Sequence, residues 1–252
     1  GGAIDGYAGA AADYNGYQQE GFGPKYMNIA DGIRASTGYS YLKPARQRGN
    51  LHIVKHALVH RVLLEEKKAI GVECEIKGQT HYYHARREVI IAAGAIGSPH
   101  LLQTSGIGAP AAMAEAGIEP LHELTGVGEN LQDHLEFNFQ YRCKQPITLN
   151  SKLGLISKGK IGLRWLLFRS GLGSTNHFEA CAFIRSRAGV KWPDIQYHFI
   201  PIAVRYDGKA AAEGHGFQAH VGPMRSPSRG SVMLASNDPA VAPKILFNYM
   251  SK

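Results

Sequence analysis

The sequence predicts a chain of class α/β + α+β. Part of a Rossmann-like domain, a β-meander followed by a parallel strand and a helix, is joined to a domain built on an antiparallel sheet. Three observations carry this. From Asn50 to Gln79 polar and apolar residues alternate with a period of two, Glu88 to Gly108 runs apolar strand, glycine turn and helix, and beyond Phe137 strand patterns follow one another with little helix between them. The expected organisation is a loop-rich segment over 1–35 bordering the two domains, a partial nucleotide-binding domain over 36–134 and a partial second domain over 135–252.

Taken in order, Tyr14 to Gly23 is rich in glycine, aromatics and amides and suits an ordered loop. Arg34 to Arg48 has helical spacing that Pro44 interrupts. Leu51–Val54, Ala57–Leu64 and Ala69–Ile76 read as the three meander strands, with turns near 65–68 and 77–79. Val89 to Ala93 is a short apolar run that suits a strand covered on both faces. Gly94 to Gly97 turn the chain, Ser98 caps a helix with Pro99 at its first position, and Ser105-Gly106 stops it. Free N–H groups at such a helix start favour an anionic ligand.

A short helix at Ala111–Ala116 precedes Gly126-Val-Gly-Glu-Asn-Leu-Gln-Asp-His134, where alternate glycines permit close backbone approach. Phe137 to Tyr141 reads as a half-buried strand, Ile161 to Phe168 as a helix, and His177–Ile184, Asp194–Ile200, Phe217–Val221 and Ser231–Leu234 as further strands.

Composition narrows the class of function. With 252 residues and 44% hydrophobic content the chain builds a real core, and no run approaches the roughly 20 apolar residues of a membrane span. The start at Gly1 without Met and the stop at Lys252 are expected of an interior piece of a longer protein. Cys74, Cys143 and Cys181 are widely spaced and support neither a disulfide framework nor a metal site, so a reducing compartment is expected. The formal charge of +8 is scattered rather than interleaved with an aromatic platform, which argues against nucleic acid.

Gly94-Ala95, Ser98-Pro99, Leu101-Leu102 and Ser105-Gly-Ile-Gly108 resemble, position by position, the second signature of the glucose-methanol-choline (GMC) flavin oxidoreductases. Gly126 to His134 is similar to the element that follows the flavin domain in that family. Resemblance to its choline-oxidising branch continues through Asn15–Gly23, Asn130–Glu136, Asn176–Ala180, Phe183–Ser186, Pro193–Phe199, His220–Gly230 and Phe247–Met250.

The resemblance implies FAD as cofactor, with Val59 contacting adenine through its backbone and Gly94, Ala95 and Ser98 at the flavin nucleotide. It implies Glu136 facing the trimethylammonium group of choline and His198 contacting the substrate oxygen. A quaternary ammonium cannot receive hydrogen bonds, so a carboxylate with aromatic faces fits it, each cation–π contact being worth ~0.5–2 kcal/mol. A hydrogen-bonding imidazole stabilises the alkoxide as the hydroxyl proton leaves. Tyr197 and Phe199 fall on the strand face opposite His198 and read as core, and His134 reads as structural.

The implied reaction is hydride transfer from the alcohol α-carbon to the flavin, giving betaine aldehyde for glycine betaine synthesis. The electrons pass to an acceptor such as a quinone, with a cytoplasmic location or one peripheral to the inner membrane. Two departures stand beside this. Ser151 to Ile156 lacks the aromatic pair of related choline oxidases, with Trp165 expected in a helix core, and the chain contains neither the family's first-strand GxGxxG nor its catalytic His segment. The alternatives are another alcohol dehydrogenase or oxidase of the family, a non-catalytic fragment binding FAD weakly at most, and, on charge alone, a basic nucleic-acid or membrane-surface module.

Overall fold

The computed structural model describes residues 10–11, 13–205 and 214–252, so residues 1–9 and 12 of the expected loop-rich segment lie outside the described residues. In chain order the strands described are β1 (Gly21–Pro24), β2 (Ile29–Ala30), β3 (Ile33–Arg34), β4 (Ala57–Glu65), β5 (Lys68–Ile76), β6 (Gln79–His84), β7 (Ile107–Gly108), β8 (His122–Glu123), β9 (Glu129–Leu131), β10 (Phe137–Arg142), β11 (Ala180–Ile184), β12 (Ile195–Ile200), β13 (Gly216–Pro223), β14 (Gly230–Met233) and β15 (Lys244–Leu246). The helices are α1 (Lys43–Ala45), which continues a π turn at Gly38–Leu42, α2 (Gly94–Thr104), α3 (Pro110–Glu115) and α4 (Leu155–Phe168).

Contacts divide the chain into two units, one of Gly1–Leu51 with His134–Arg225 and one of His52–Asp133 with Ser226–Lys252. The division is not consecutive in sequence, unlike the three expected blocks. Residues 226–252 join the second unit because β14 pairs with β9 and with β15. A strand belongs where its backbone hydrogen bonds go.

In the first unit β1, β11, β12, β13 and β10 form one antiparallel sheet in that spatial order. Successive residues of a strand point to opposite faces, so the sheet has two chemically different sides. Tyr197, Phe199 and Phe217 lie on one, where Phe199 and Tyr141 each pack a ring on Phe217. Tyr197 and Phe199, expected as core from the sequence, are only half-buried on this face.

The half-buried positions of α4 are Ser157, Ile161 and Trp165, four residues apart on one stripe. Trp165 donates its indole N–H to the Gly32 carbonyl at 2.7 Å and carries the Arg169 guanidinium 4.1 Å above its ring. It is tied into the helix packing as the sequence suggests. Asp194 accepts from both the backbone N–H and the hydroxyl of Ser186, at 2.7 and 2.6 Å, which links two of the sequence blocks quoted above.

In the second unit β4, β5 and β6 form the meander. Its hairpins turn on two residues each, Glu66-Lys67 and Lys77-Gly78, all four with positive φ, as the right-handed twist of a tight hairpin requires. The meander is offset by one strand from the expected set. Leu51–Val54 forms no strand, and Gln79–His84 supplies the third. Gln-Thr-His-Tyr-Tyr-His has no apolar alternation because an edge strand of this kind needs none.

Val89–Ala93 runs without strand pairing among the described residues, and Ile90 is 80% exposed. A parallel strand draws its hydrogen bonds from a neighbour, and apolar character alone does not provide one. Likewise α2 begins at Gly94, with φ +81, rather than at Ser98, and Pro99 lies inside it. Ser98 does not cap. Its hydroxyl accepts from the Ala93 N–H at 3.1 Å, one turn earlier.

The far end of α2 explains the signature residues there. A bulge at Val59/Arg61 interrupts the β4–β5 ladder, and Thr104 Oγ1 donates to the His60 carbonyl at 2.9 Å while Ser105 Oγ accepts from the Val62 N–H at 2.8 Å. Side chains of the helix end thus replace the missing ladder bonds. Gly106 turns the chain with φ +78, and a Cβ there would meet Leu121 and the Glu119 carbonyl. Buried Gln103 donates to the Val232 carbonyl at 2.9 Å and accepts from the Leu234 N–H at 3.2 Å, which fastens α2 to β14.

Candidate functional site

Two surfaces bear on function, one in each unit. In the second unit a cavity of about 440 Å³ is lined by Leu58, Val59 and Val72 of the meander, by 89–93, and by Gly97, His100 and Leu101 of α2. Apolar walls of this size suit a flat heteroaromatic ring. His100 adds a buried imidazole nitrogen without a hydrogen-bond partner, and burial pushes its pKa below the usual value, so the ring is held neutral.

Val59 and the chain leading into α2 therefore meet at one cavity. Gly94, Ala95 and Ser98 do not line it and stand in the first turn and a half of the helix beyond. At Gly94 an added Cβ would meet open space, so that backbone is approachable from outside. The glycines of the Gly126–His134 element differ from one another. Gly126 also faces open space, whereas Gly128, with φ +86, leaves no room for a side chain beside the Val232 carbonyl. Close approach at Gly128 is to the protein itself.

In the first unit the antiparallel register aligns Gly23, Cys181, His198, His220 and Asn138 across five strands, so these positions share the face opposite the aromatic one. Lys25 follows Gly23 by two residues and Glu136 precedes Asn138 by two, which puts both on that face. The Glu136 carboxylate lies 2.6 Å from Nδ1 of His220. Lys25 Nζ lies 2.5 Å from Nδ1 of His198 and 5.4 Å from the centre of the Phe178 ring.

Phe178 meets the rings of His198 and His220 edge-on, at 6.1 and 5.7 Å. The His220 side chain is 13% exposed and that of Glu136 43%, so the histidine is enclosed while the carboxylate remains within reach of a ligand. The second predicted site residue, His198, is two strands from Glu136 on the same face.

Burial governs the charges on this face. It holds Lys25 below the usual lysine value, against the attraction of Cys181 and Glu136. Burial first, then the neighbouring Lys25 charge, keeps His198 below the usual histidine value, and burial raises the Cys181 thiol. The face therefore presents the Lys25 amine, the imidazoles of His198 and His220, an accessible carboxylate and one aromatic ring. Chemically, a carboxylate and an aromatic ring attract positive charge, and an imidazole hydrogen-bonds to oxygen. Among the described residues no group of three or more His, Cys, Asp or Glu is arranged to hold a metal ion.

Sequence reasoning named Glu136 and His198, which the structure places on one face, and did not single out Lys25, His220, Phe178 and Asn138, which stand on or over the same face. Phe178 and His220 sit inside the quoted Asn176–Ala180 and His220–Gly230 blocks. What brings them together is the order and register of five strands, which a one-dimensional pattern does not state. Asn138 Oδ1 is buried there without a partner.

A family model described as GMC oxidoreductase matches residues 1–136. The chain is 61% identical over 239 residues to a protein of Photobacterium profundum named oxygen-dependent choline dehydrogenase, covering 95% of this chain and 42% of that one. It is 59% identical over 240 residues to a Vibrio vulnificus protein of the same name, covering 95% and 43%. The chain thus spans less than half the length of the curated relatives it matches.

Among solved structures it is similar to formate oxidase of Aspergillus oryzae, with a TM-score of 0.85 at 21% identity over 93% of this chain and 45% of that one. It is also similar to pyridoxine 4-oxidase of Mesorbium loti, with a TM-score of 0.75 at 26% identity over 92% and 42%. By its matched half, its signature residues and its fold, the chain belongs to the GMC oxidoreductase family.

Proposed function

We propose that this chain is the central part of a FAD-dependent choline dehydrogenase that oxidises choline to betaine aldehyde. The observation that carries the reading is the shared sheet face on which Glu136, Phe178 and His198 stand together, in a chain about 60% identical to proteins named for choline. On this reading Glu136 and Phe178 receive the trimethylammonium group and His198 hydrogen-bonds to the alcohol oxygen.

The cavity beside Val59 fits the adenine end of FAD, since its walls are apolar and its backbone rim runs along 89–93. Val59 and the chain entering Gly94, Ala95 and Ser98 would hold that end. When bound, the flavin supplies a two-electron acceptor for the hydride from the alcohol carbon. The residues of this chain bind and orient the alcohol and stabilise negative charge on its oxygen.

The reducible acceptor beyond the flavin is proposed to be a quinone, with peripheral attachment to a membrane. Among the described residues no helix is long and apolar enough to cross one. The relatives' name points to oxygen instead, and peroxide formation during turnover separates the two.

The test is purification of the full-length protein. It is expected to be yellow and to reduce a dye with choline in preference to aromatic and aliphatic alcohols. A colourless protein, or one that favours an uncharged alcohol, overturns the reading.

A further inference from the structure

We infer that Lys25 is a positioning residue for His198: by donating to Nδ1 it fixes the imidazole as the neutral form that carries its proton on Nε2. An ammonium has three donors and no acceptor, so the nitrogen 2.5 Å from it must offer a lone pair. A neutral imidazole has one donor and one acceptor. When Nδ1 accepts, Nε2 holds the hydrogen, and the ring becomes an obligate donor at its other end.

The surroundings support this assignment. Lys25 enters from the end of β1, where its backbone N–H donates to the Glu179 carbonyl at 3.1 Å, so the base of the side chain is anchored by the sheet. Its Nζ lies 5.4 Å from the centre of the Phe178 ring, which also meets the His198 ring edge-on. Groups that face the pair from the other strands are Cys181 of β11, His220 of β13 and Glu136 ahead of β10. Of these only Glu136 favours a doubly protonated His198, and its carboxylate is already engaged by His220 at 2.6 Å.

The inference deepens the proposed reading and rests on it for the link to alcohol oxidation. An Nε2–H donor aimed at the alcohol oxygen gains strength as that oxygen becomes an alkoxide, and the lysine charge behind the ring polarises it further. Without Lys25 the ring is free to carry its proton on Nδ1, which turns a lone pair towards the oxygen. The same change of tautomer is what disables a histidine whose orienting carboxylate is replaced.

The experiment uses the full-length flavoprotein with nitrogen-15-labelled histidine, the His198 signals being assigned by difference against His198→Gln. The wild type is expected to show a protonated Nε2 and a bare Nδ1, Lys25→Arg to keep that pattern, and Lys25→Met to lose it. A protonated Nδ1 in the wild type overturns the inference, whatever the substrate proves to be. In parallel, Lys25→Met is expected to lower kcat and kcat/KM for choline by about 10²–10³ with KM little changed, and Lys25→Arg to restore most of it. A Lys25→Met enzyme of unaltered kcat overturns it as well. If the wild type ignores choline yet shows the expected tautomer, the proposed function fails and the Lys25 assignment stands.

Discussion

The polar face of the first unit and the junction of the second, where the end of α2 meets β4 and β14, put polar side chains to opposite ends. At the junction Gln103, Ser105 and Thr104 are consumed by the fold, each polar atom bonded to a backbone group that secondary structure leaves over. On the sheet face Lys25, His198, His220 and Glu136 bond to one another and leave the backbone ladder untouched. Removing a junction residue should therefore cost stability, whereas altering the face should change ligand binding in a protein that folds as before.

The largest expected effect is at Gly128. A Cβ there would run into the Val232 carbonyl, and φ of +86 is a conformation that side chains avoid. Gly128→Ala should destabilise the fold by about 4 kcal/mol, read as a lower midpoint in urea unfolding at constant slope. A loss below about 1 kcal/mol would mean that the β9–β14 junction relaxes freely, and the contrast between the regions would weaken.

The complementary change is Glu136→Gln in the full-length enzyme. It keeps size and polarity and removes the charge, so KM for choline should rise about 10–100-fold while the urea midpoint stays put, the Coulomb attraction of a carboxylate for a cation about 6 Å away being roughly 3 kcal/mol at an effective dielectric near 20, before screening by solvent. An unaltered KM with lowered stability would reassign the carboxylate to the fold.

Ser105→Ala comes next. It strands the Val62 N–H in a buried position, at about 1–3 kcal/mol, and should leave the substrate profile alone. Phe178→Leu tests the aromatic side of the polar face. Loss of its ring should raise KM for choline by a factor of about 2–30, from a cation–π contribution of ~0.5–2 kcal/mol, and should affect uncharged alcohols much less.

How legible each region was follows from the same contrast. The meander, the central helix and the antiparallel strands were readable because their periods are local properties of 5–10 residues. The offset of one strand arose where Gln79–His84 carries no hydrophobic pattern, being fixed only by a two-residue turn at Lys77-Gly78 and by pairing with β5. The start of α2 was misread because a serine before a proline is a good cap in isolation, while Gly94 with positive φ begins the turn earlier. Glu136 and His198 were singled out because they match family positions. Lys25, His220 and Phe178 depend on which strands become neighbours, and Lys25 is separated from His198 by 173 positions.

The smallest effect concerns Asp194, an exposed carboxylate on the segment leading into β12. The Ser186 hydroxyl and backbone N–H hold it ionised and keep its pKa below the usual carboxylate value. A group whose folded pKa is depressed stabilises the fold above its unfolded value and loses that contribution as pH falls through the folded one. Asp194→Asn should therefore be slightly less stable than wild type at pH 7, and the difference should close as pH drops below about 3.9, where the unfolded carboxylate takes up its proton while the folded one still resists it. Thermal midpoints of the two proteins between pH 3 and pH 7 provide the measurement. A gap that stays constant with pH would show that the turn depends on shape rather than charge, and this part of the first unit would then resemble the junction more than the polar face.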